Sequence, residues 1–144
     1  MKKQRNINQE FTDSDTKESG RKYAYSFDYD VMHPYMIKSF RPFFNKGSPL
    51  ELGSFKGDFT EKFVSHFDDV TCVEGSGVAI AEAKNRLGGK VKFVNSVFEK
   101  ATLPQRYDNI VLTHVLEHLD DPVLVLKRIN EEWLAEGGRF FLVC

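Results

Sequence analysis

The stretch LELGSFKG, residues 50–57, decides the fold of this chain. Leu50 and Leu52 lead into Gly53, and Gly57 follows at the point where a helical pattern begins. A strand that turns into a helix through two glycines brings backbone close to a ligand, because no Cβ stands in the way. The first turn of that helix adds N–H groups that have no partner within the helix. We therefore expect this turn to line a binding site.

Strand-like segments recur downstream of this turn, and helical segments separate them. Apolar runs predict five strands, at residues 50–52, 70–73, 91–94, 109–113 and 139–143. The fourth run has Ile110, Val111 and Leu112 in succession at its centre, as expected for a sheet that is covered on both faces. Strands that alternate with helices predict an α/β fold with a doubly wound, mostly parallel sheet.

The predicted helices have recognisable ends. One begins at about Asp58, and the next has Ser76 as its N-cap and ends at Gly88-Gly89. A long helix is predicted from Asp121-Pro122 to Gly137-Gly138, with five apolar residues facing inward: Val123, Leu126, Ile129, Trp133 and Leu134. An earlier helix begins at His33-Pro34 and ends or kinks near Arg41, because Pro42 lies inside its apolar pattern.

Composition divides the chain into three parts. Residues 1–22 are polar and mixed in charge, which predicts a flexible tail. Residues 23–48 hold alternating aromatic residues, as in an extended segment with one aromatic face, and then a helix. Residues 49–144 form the core. The chain stops in or just after the fifth predicted strand, and we expect that it is truncated there and lacks further C-terminal strands.

The bulk properties exclude several classes of function. With 144 residues, 41% hydrophobic and 28% charged, the chain has the composition of one soluble domain. A net charge of -1 does not attract nucleic acid, and no apolar run is long enough to span a membrane. Cys72 and Cys144 both lie in strand-like runs, so we expect buried free thiols and a cytoplasmic protein.

A carboxylate follows the second predicted strand. Glu74 lies at the position where an open α/β sheet can place an acid against ribose hydroxyls. Taken alone, Glu74 could equally be a solvated acid, and the glycines could be those of any turn. Phe55 occupies the place of the middle glycine of GxGxxG, which disfavours a nicotinamide-dependent oxidoreductase. Together, the turn and Glu74 predict a nucleoside ligand without a tightly bound pyrophosphate.

Three stretches resemble the class I S-adenosylmethionine-dependent methyltransferases: LELGSFKG (50–57), VEGS (73–76) and YDNIVLTHVLEHLDDP (107–122). The last is similar to the fourth-strand signature of small-molecule methyltransferases, including ubiquinone-pathway O-methyltransferases. The resemblance extends over about residues 23–144 and implies a Rossmann-like fold. The chain departs from the family at Phe55, where glycine or alanine is usual, and after the third strand, where the common acid is absent.

The resemblance implies S-adenosyl-L-methionine as cofactor, S-adenosyl-L-homocysteine as product, and O- or N-methylation of a small-molecule acceptor. It places Glu51 and Gly53 at the amino-acid end of the cofactor and Glu74 at the ribose. The other implied contacts are Ser54 and Gly57 in the turn, Gly75 after the acid, Ser96, Val97 and Phe98 at the adenine, and Thr113 and His114 at the methionine and methyl group. The resemblance also implies that residues 23–48 fold over the site, with packing on the sheet alone as the alternative. Tyr25 is the first aromatic residue to test there, because a sulfonium attracts π faces.

The segment HVLEH, residues 114–118, also fits a motif from a different class of protein. H-x-x-E-H is the spacing of the inverted zinc-protease signature, in which two imidazoles share one face of a long helix. Here Asp121-Pro122 begins a new helix directly afterwards, which disfavours a metal-dependent hydrolase. We predict no metal ligands, although a divalent ion held by Glu and His in this region is an open alternative.

His118 and His114 are the candidate general bases, because histidine titrates near neutral pH. A structural role is the alternative for His118. A non-catalytic or truncated cofactor-binding domain is the alternative for the whole chain.

Overall fold

The structure is a computed structural model, and it describes residues 28–144. The predicted tail and Tyr25 lie outside the described residues. A π-helical turn, Asp28–Met32, leads into helix α1, His33–Phe40, and a 3-10 turn follows at Arg41–Phe43. The predicted start of this helix at His33-Pro34 and its end near Arg41 are both confirmed.

Five strands form the sheet. Their bounds are β1 Pro49–Leu52, β2 Val70–Glu74, β3 Val91–Asn95, β4 Tyr107–Thr113 and β5 Leu134–Val143. Their order is β3-β2-β1-β4-β5, and every neighbouring pair is parallel. The central strand is β1, in which Leu50 lies beside Thr71 of β2 and Ile110 of β4.

Three helices connect these strands: α2 Asp58–Phe63, α3 Gly77–Leu87 and α4 Pro122–Arg128. Ser76 caps α3 as predicted, since its Oγ accepts a hydrogen bond from the N–H of Ala79 at 3.2 Å. Asp121 caps α4 in the same way and accepts from the N–H of Leu124 at 2.9 Å. No helix in the described part of the chain is long and apolar enough to cross a membrane.

Apolar side chains fill both faces of the sheet. On one face α1, α2 and α3 cover Cys72 and Val111, and on the other α4 covers Leu50 and Leu52. Because alternate strand residues point to opposite faces, Glu51 lies on the α1–α3 face. The predicted α/β class and doubly wound sheet are therefore confirmed.

The long helix predicted after Asp121-Pro122 is shorter than expected. After α4 a π-helical turn, Ile129–Trp133, ends the helical segment, and Gly137-Gly138 lies within β5. The strand begins early because Leu134 pairs with Tyr107, and the register then shifts before the pairing resumes. The prediction of which residues face inward was also wrong at one position: Val123 is 74% exposed, whereas Val125 is fully buried.

The two cysteines lie in different environments. Cys72 is a buried free thiol, as predicted. Cys144 is a free thiol as well, but it is exposed, which corrects the prediction. It follows the last residue of β5, so the sheet does not cover it.

Candidate cofactor site

The residues predicted to bind a ligand follow the carboxyl ends of four neighbouring strands. Gly53 follows β1, Gly75 follows β2, Ser96 follows β3 and His114 follows β4. Because the strands are parallel, these ends meet at one edge of the sheet. The strand order reverses between β1 and β4, and open α/β sheets bind ligands in the crevice at such a point.

The glycine turn contains three residues with left-handed backbone: Gly53 at φ 84, Phe55 at φ 48 and Gly57 at φ 85. A Cβ on Gly53 would lie 2.5 Å from Cγ2 of Val115, so only glycine lets the turn meet the segment after β4. A Cβ on Gly57 would lie 2.9 Å from Leu87. Gly57 therefore serves the close packing of α2 on α3.

Phe55 adopts a conformation that glycine adopts without strain. Among the described residues other than glycine, only Phe55 and His114 have positive φ. The N–H of Phe55 donates to Oε2 of Glu74 at 2.9 Å, and this bond helps to hold the turn. Backbone strain of this kind concentrates at functional sites.

Glu74 joins the glycine turn to the start of α3. Its side chain is only 5% exposed, and its two oxygens accept from the N–H groups of Phe55, at 2.9 Å, and Ser76, at 2.8 Å. Burial raises the pKa of Glu74, and these hydrogen bonds oppose the shift. Glu74 is therefore not a solvated acid at a strand end. Each oxygen keeps a further lone pair, which a ribose hydroxyl can use.

Glu51 lies beneath the turn and is 2% exposed. Desolvation raises its pKa to about 8, although the thiol of Cys72 donates to its Oε2 at 3.6 Å. The Thr60 hydroxyl lies beside the same carboxyl but forms no hydrogen bond with it. The hydroxyls of Thr60 and Ser54 are buried and have no hydrogen-bond partner among residues 28–144. A buried polar group without a partner is costly, and both hydroxyls lie beside the Glu51–Cys72 pair beneath the turn.

The loop after β3 begins against Glu74, since the N–H of Ser96 donates to the carbonyl of Glu74 at 3.1 Å. The ring of Phe98 is buried in the core with Ala101, so it presents no aromatic face to the crevice. The N–H groups of Val97 and Phe98 donate to no acceptor within the described ranges. This loop therefore offers two backbone donors in place of the acid that is absent here.

The segment after β4 does not form the helix that a zinc protease requires. Thr113 ends β4, and His114 is exposed with φ 53, its N–H donating to the carbonyl of Val143 at 2.7 Å. Only one 3-10 turn, Leu116–His118, follows. In the part of the chain that the structure describes, no three His, Cys, Asp or Glu residues are grouped to hold a metal ion.

Sequence reasoning missed two residues that shape this edge. Val115 packs against the bare Cα of Gly53, and Arg128 contacts the loop after β3 from the end of α4. Both contacts join positions that are distant in the chain. Arg128 lies next to Lys127 and close to Glu131 and Glu132, so no local signal in the sequence distinguished it.

A family model described as a methyltransferase domain matches residues 50–140. No curated protein sequence matches significantly. Three similar solved structures are the glycopeptide N-methyltransferase MtfA, DhpI in complex with S-adenosyl-L-homocysteine (SAH), and the N-methyltransferase NodS from Bradyrhizobium japonicum WM9 in complex with SAH.

These structures share the fold of the chain at low sequence identity. MtfA is 22% identical over 76% of this chain and 52% of its own, with a TM-score of 0.67. DhpI is 27% identical over 83% of this chain and 60% of its own, with a TM-score of 0.71. NodS is 22% identical over 94% and 71%, with a TM-score of 0.75. The chain thus spans little more than half the length of the first two proteins.

Proposed function

The chain belongs to the methyltransferase domain family, and from this premise we propose that it binds S-adenosyl-L-methionine and methylates a small-molecule acceptor. The resemblance to class I S-adenosylmethionine-dependent methyltransferases is thereby confirmed at the level of the family. One observation carries the proposal: the buried carboxylate of Glu74 is bonded to the glycine turn, beside the crevice where the strand order reverses.

The residues at this edge fit the cofactor. Gly53, which follows β1 at this edge, would lie against its amino-acid end, with Ser54 beside it in the same turn. Glu74 has lone pairs left for the ribose hydroxyls, with Gly75 beside it. The proposed adenine contacts are the N–H groups of Val97 and Phe98, with Ser96 beside them.

The remaining site residues are proposed for the reacting end. The cofactor, when bound, supplies an electrophilic methyl group on a sulfonium. The protein contributes proximity and orientation, and Thr113 and His114 at the end of β4 would face this group. His114 and His118 are both exposed, so either imidazole could accept a proton from the acceptor. Residues 23–48, with Tyr25, would cover the site.

The acceptor atom is oxygen or nitrogen. MtfA and NodS are both N-methyltransferases, which favours nitrogen for this chain. We further propose that the protein is cytoplasmic. A cofactor-binding domain without activity is the second candidate, because the chain spans 52% and 60% of the first two similar proteins.

Binding of SAH and of S-adenosyl-L-methionine tests the proposal directly. A ligand present at 100 times its Kd stabilises a protein by about 2.7 kcal/mol, which raises the melting temperature by several degrees. We expect both adenosyl ligands to produce such a shift and NAD to produce none. If neither adenosyl ligand shifts the melting temperature at millimolar concentration, the proposed function is wrong.

Glu74→Ala tests the ribose contact, and Ser76→Ala is its matched control. Both variants weaken the start of α3, but only Glu74→Ala removes the carboxylate. We expect Glu74→Ala to abolish most of the SAH shift and Ser76→Ala to retain it. An unchanged shift in Glu74→Ala would reject the ribose role. Transfer of radiolabelled methyl to a panel of amines and alcohols would then separate an enzyme from a binding domain.

A further inference from the structure

The loop after β3 is held by an arginine from a distant helix. Nη1 of Arg128 donates to the carbonyl of Phe98 at 2.5 Å, and Nη2 donates to the carbonyl of Ala101 at 2.7 Å. The loop is also closed on itself, since the N–H of Lys100 donates to the carbonyl of Val97 at 3.1 Å. Arg128 therefore bonds both ends of the turn that the loop forms.

The guanidinium is itself fixed in place. Its Nε and Nη2 donate to the two oxygens of Glu132 at 3.0 and 2.7 Å, and its Cζ lies 4.7 Å from the ring centroid of Trp133. The Arg128 side chain is 15% exposed, whereas that of Glu132 is 49% exposed. Since a guanidinium is a rigid planar donor set, fixing it on one side orients the donors that reach the loop.

The same loop carries the donors proposed for the adenine. Val97 and Phe98 begin the turn whose carbonyls Arg128 binds, and their N–H groups donate to no acceptor among residues 28–144. If the loop adopts its binding conformation in only a fraction of the unliganded molecules, the apparent affinity for the ligand is reduced by that fraction. A preformed loop avoids this loss.

We infer that Arg128 is a positioning residue of the cofactor site: it touches no cofactor but holds the loop at 97–101 in the conformation that receives the adenine. This inference rests on the proposed function. It predicts that Arg128 controls the affinity for the adenosine part of the cofactor independently of global stability.

The test compares the dissociation constants of SAH and adenosine, measured by calorimetry at a temperature where circular dichroism shows every variant folded. Arg128→Gln should raise both constants by about tenfold, as expected if the competent loop falls to about a tenth of the population. Arg128→Lys keeps a cation without the planar fork and should have an intermediate effect. Glu132→Gln is the matched control, because its amide oxygen still accepts from the guanidinium and the bonds to the loop carbonyls remain. It should change either constant less than about twofold.

If the role of Arg128 is purely structural, Arg128→Gln will lower the melting temperature and leave both dissociation constants unchanged. That result would overturn the inference and leave the proposed function intact. If the wild-type protein bound neither SAH nor adenosine, the proposed function would fail, and the inference with it. If Arg128→Gln did not fold, Arg128→Lys would decide by the same comparison. Amide exchange of Lys100 and Ala101, whose N–H groups donate to the carbonyls of Val97 and Phe98, should also be faster in Arg128→Lys than in wild type.

Discussion

At the scale of single residues, Glu51 combines deep burial with an ionisable group. Its unfolded-state pKa is near 4.5, and burial raises the folded-state pKa to about 8. Between these values the folded protein holds a proton that the unfolded chain has released. The stability that this group contributes is therefore complete below pH 4.5 and is lost as the pH rises to about 8.

Glu51→Gln should remove this pH dependence, because an amide does not titrate. Between pH 5.5 and 8 the wild-type free energy of unfolding should fall by roughly 3 kcal/mol relative to the variant, at about 1.4 kcal/mol per pH unit. Urea unfolding at both values measures the difference. The comparison must be with the variant, since the pKa of Glu74 is raised too. Parallel pH profiles for the two proteins would contradict the prediction.

Gly53 is constrained by both its backbone and its neighbour. Gly53→Ala should lower the free energy of unfolding by roughly 2–4 kcal/mol, because it adds left-handed strain and overpacking against Val115. Gly137→Ala is the control: φ is 72 there, but no atom lies within 4 Å of the added Cβ, so only the strain of about 1–2 kcal/mol applies. Adding Val115→Ala to Gly53→Ala should relieve part of the clash. Equal losses for the two glycine variants would show that the contact with Val115 is unimportant.

At the scale of elements, α4 depends on its first turn. The helix has only 7 residues, and Asp121 binds the N–H of Leu124 at its start. Short helices owe their stability to caps and to packing rather than to propensity. Since Arg128 ends the same helix, the cap and the loop at 97–101 belong to one connected structure.

Asp121→Ala should lower the free energy of unfolding by about 1 kcal/mol, because the N–H of Leu124 loses its acceptor. Asp121→Asn should cost far less, since the asparagine side chain caps a helix equally well. Chemical denaturation measures both losses, and amide exchange at Leu124 locates them. Equal losses for the two substitutions would mean that the cap contributes little and that the charge or the packing of Asp121 matters instead.

At the scale of the whole molecule, both faces of one sheet are packed and the proposed site lies along its edge. Cys72 lies in β2 inside the first of these cores, and Cys144 is exposed beyond β5. Burial raises the pKa of the Cys72 thiol, and the carboxyl of Glu51 adds to the shift. Only the thiolate form of cysteine reacts readily. Cys72 is therefore protected from thiol reagents by its protonation as well as by its burial in the core.

A thiol reagent should therefore modify one cysteine at once and the second only when the sheet opens. Under native conditions we expect one fast equivalent, absent in Cys144→Ser, and a slow one whose rate rises with urea. If the proposed function holds, SAH should slow the second reaction further, because it stabilises the folded state. Two fast equivalents in the native protein would contradict the burial of Cys72.

Local patterns in the sequence were enough to predict the fold class, the glycine turn and the acid at the end of β2. Each of these features depends on residues that are close together in the sequence. Apolar runs, the Ser76 cap and the two glycines at one strand end can each be recognised within a few residues. The ends of the helix at His33-Pro34 and Arg41 were predictable for the same reason, since proline acts on its own turn.

The contacts between distant segments could be known only from the folded structure. Gly53 meets Val115, Phe98 enters the core, and Arg128 reaches the loop after β3 because packed helices and strands bring them together. The early start of β5 likewise depends on its pairing with β4, and that pairing ends the helical segment well before the predicted glycines. Local spacing carries no information on which distant partner a side chain will meet, because packing of the whole sheet sets that choice.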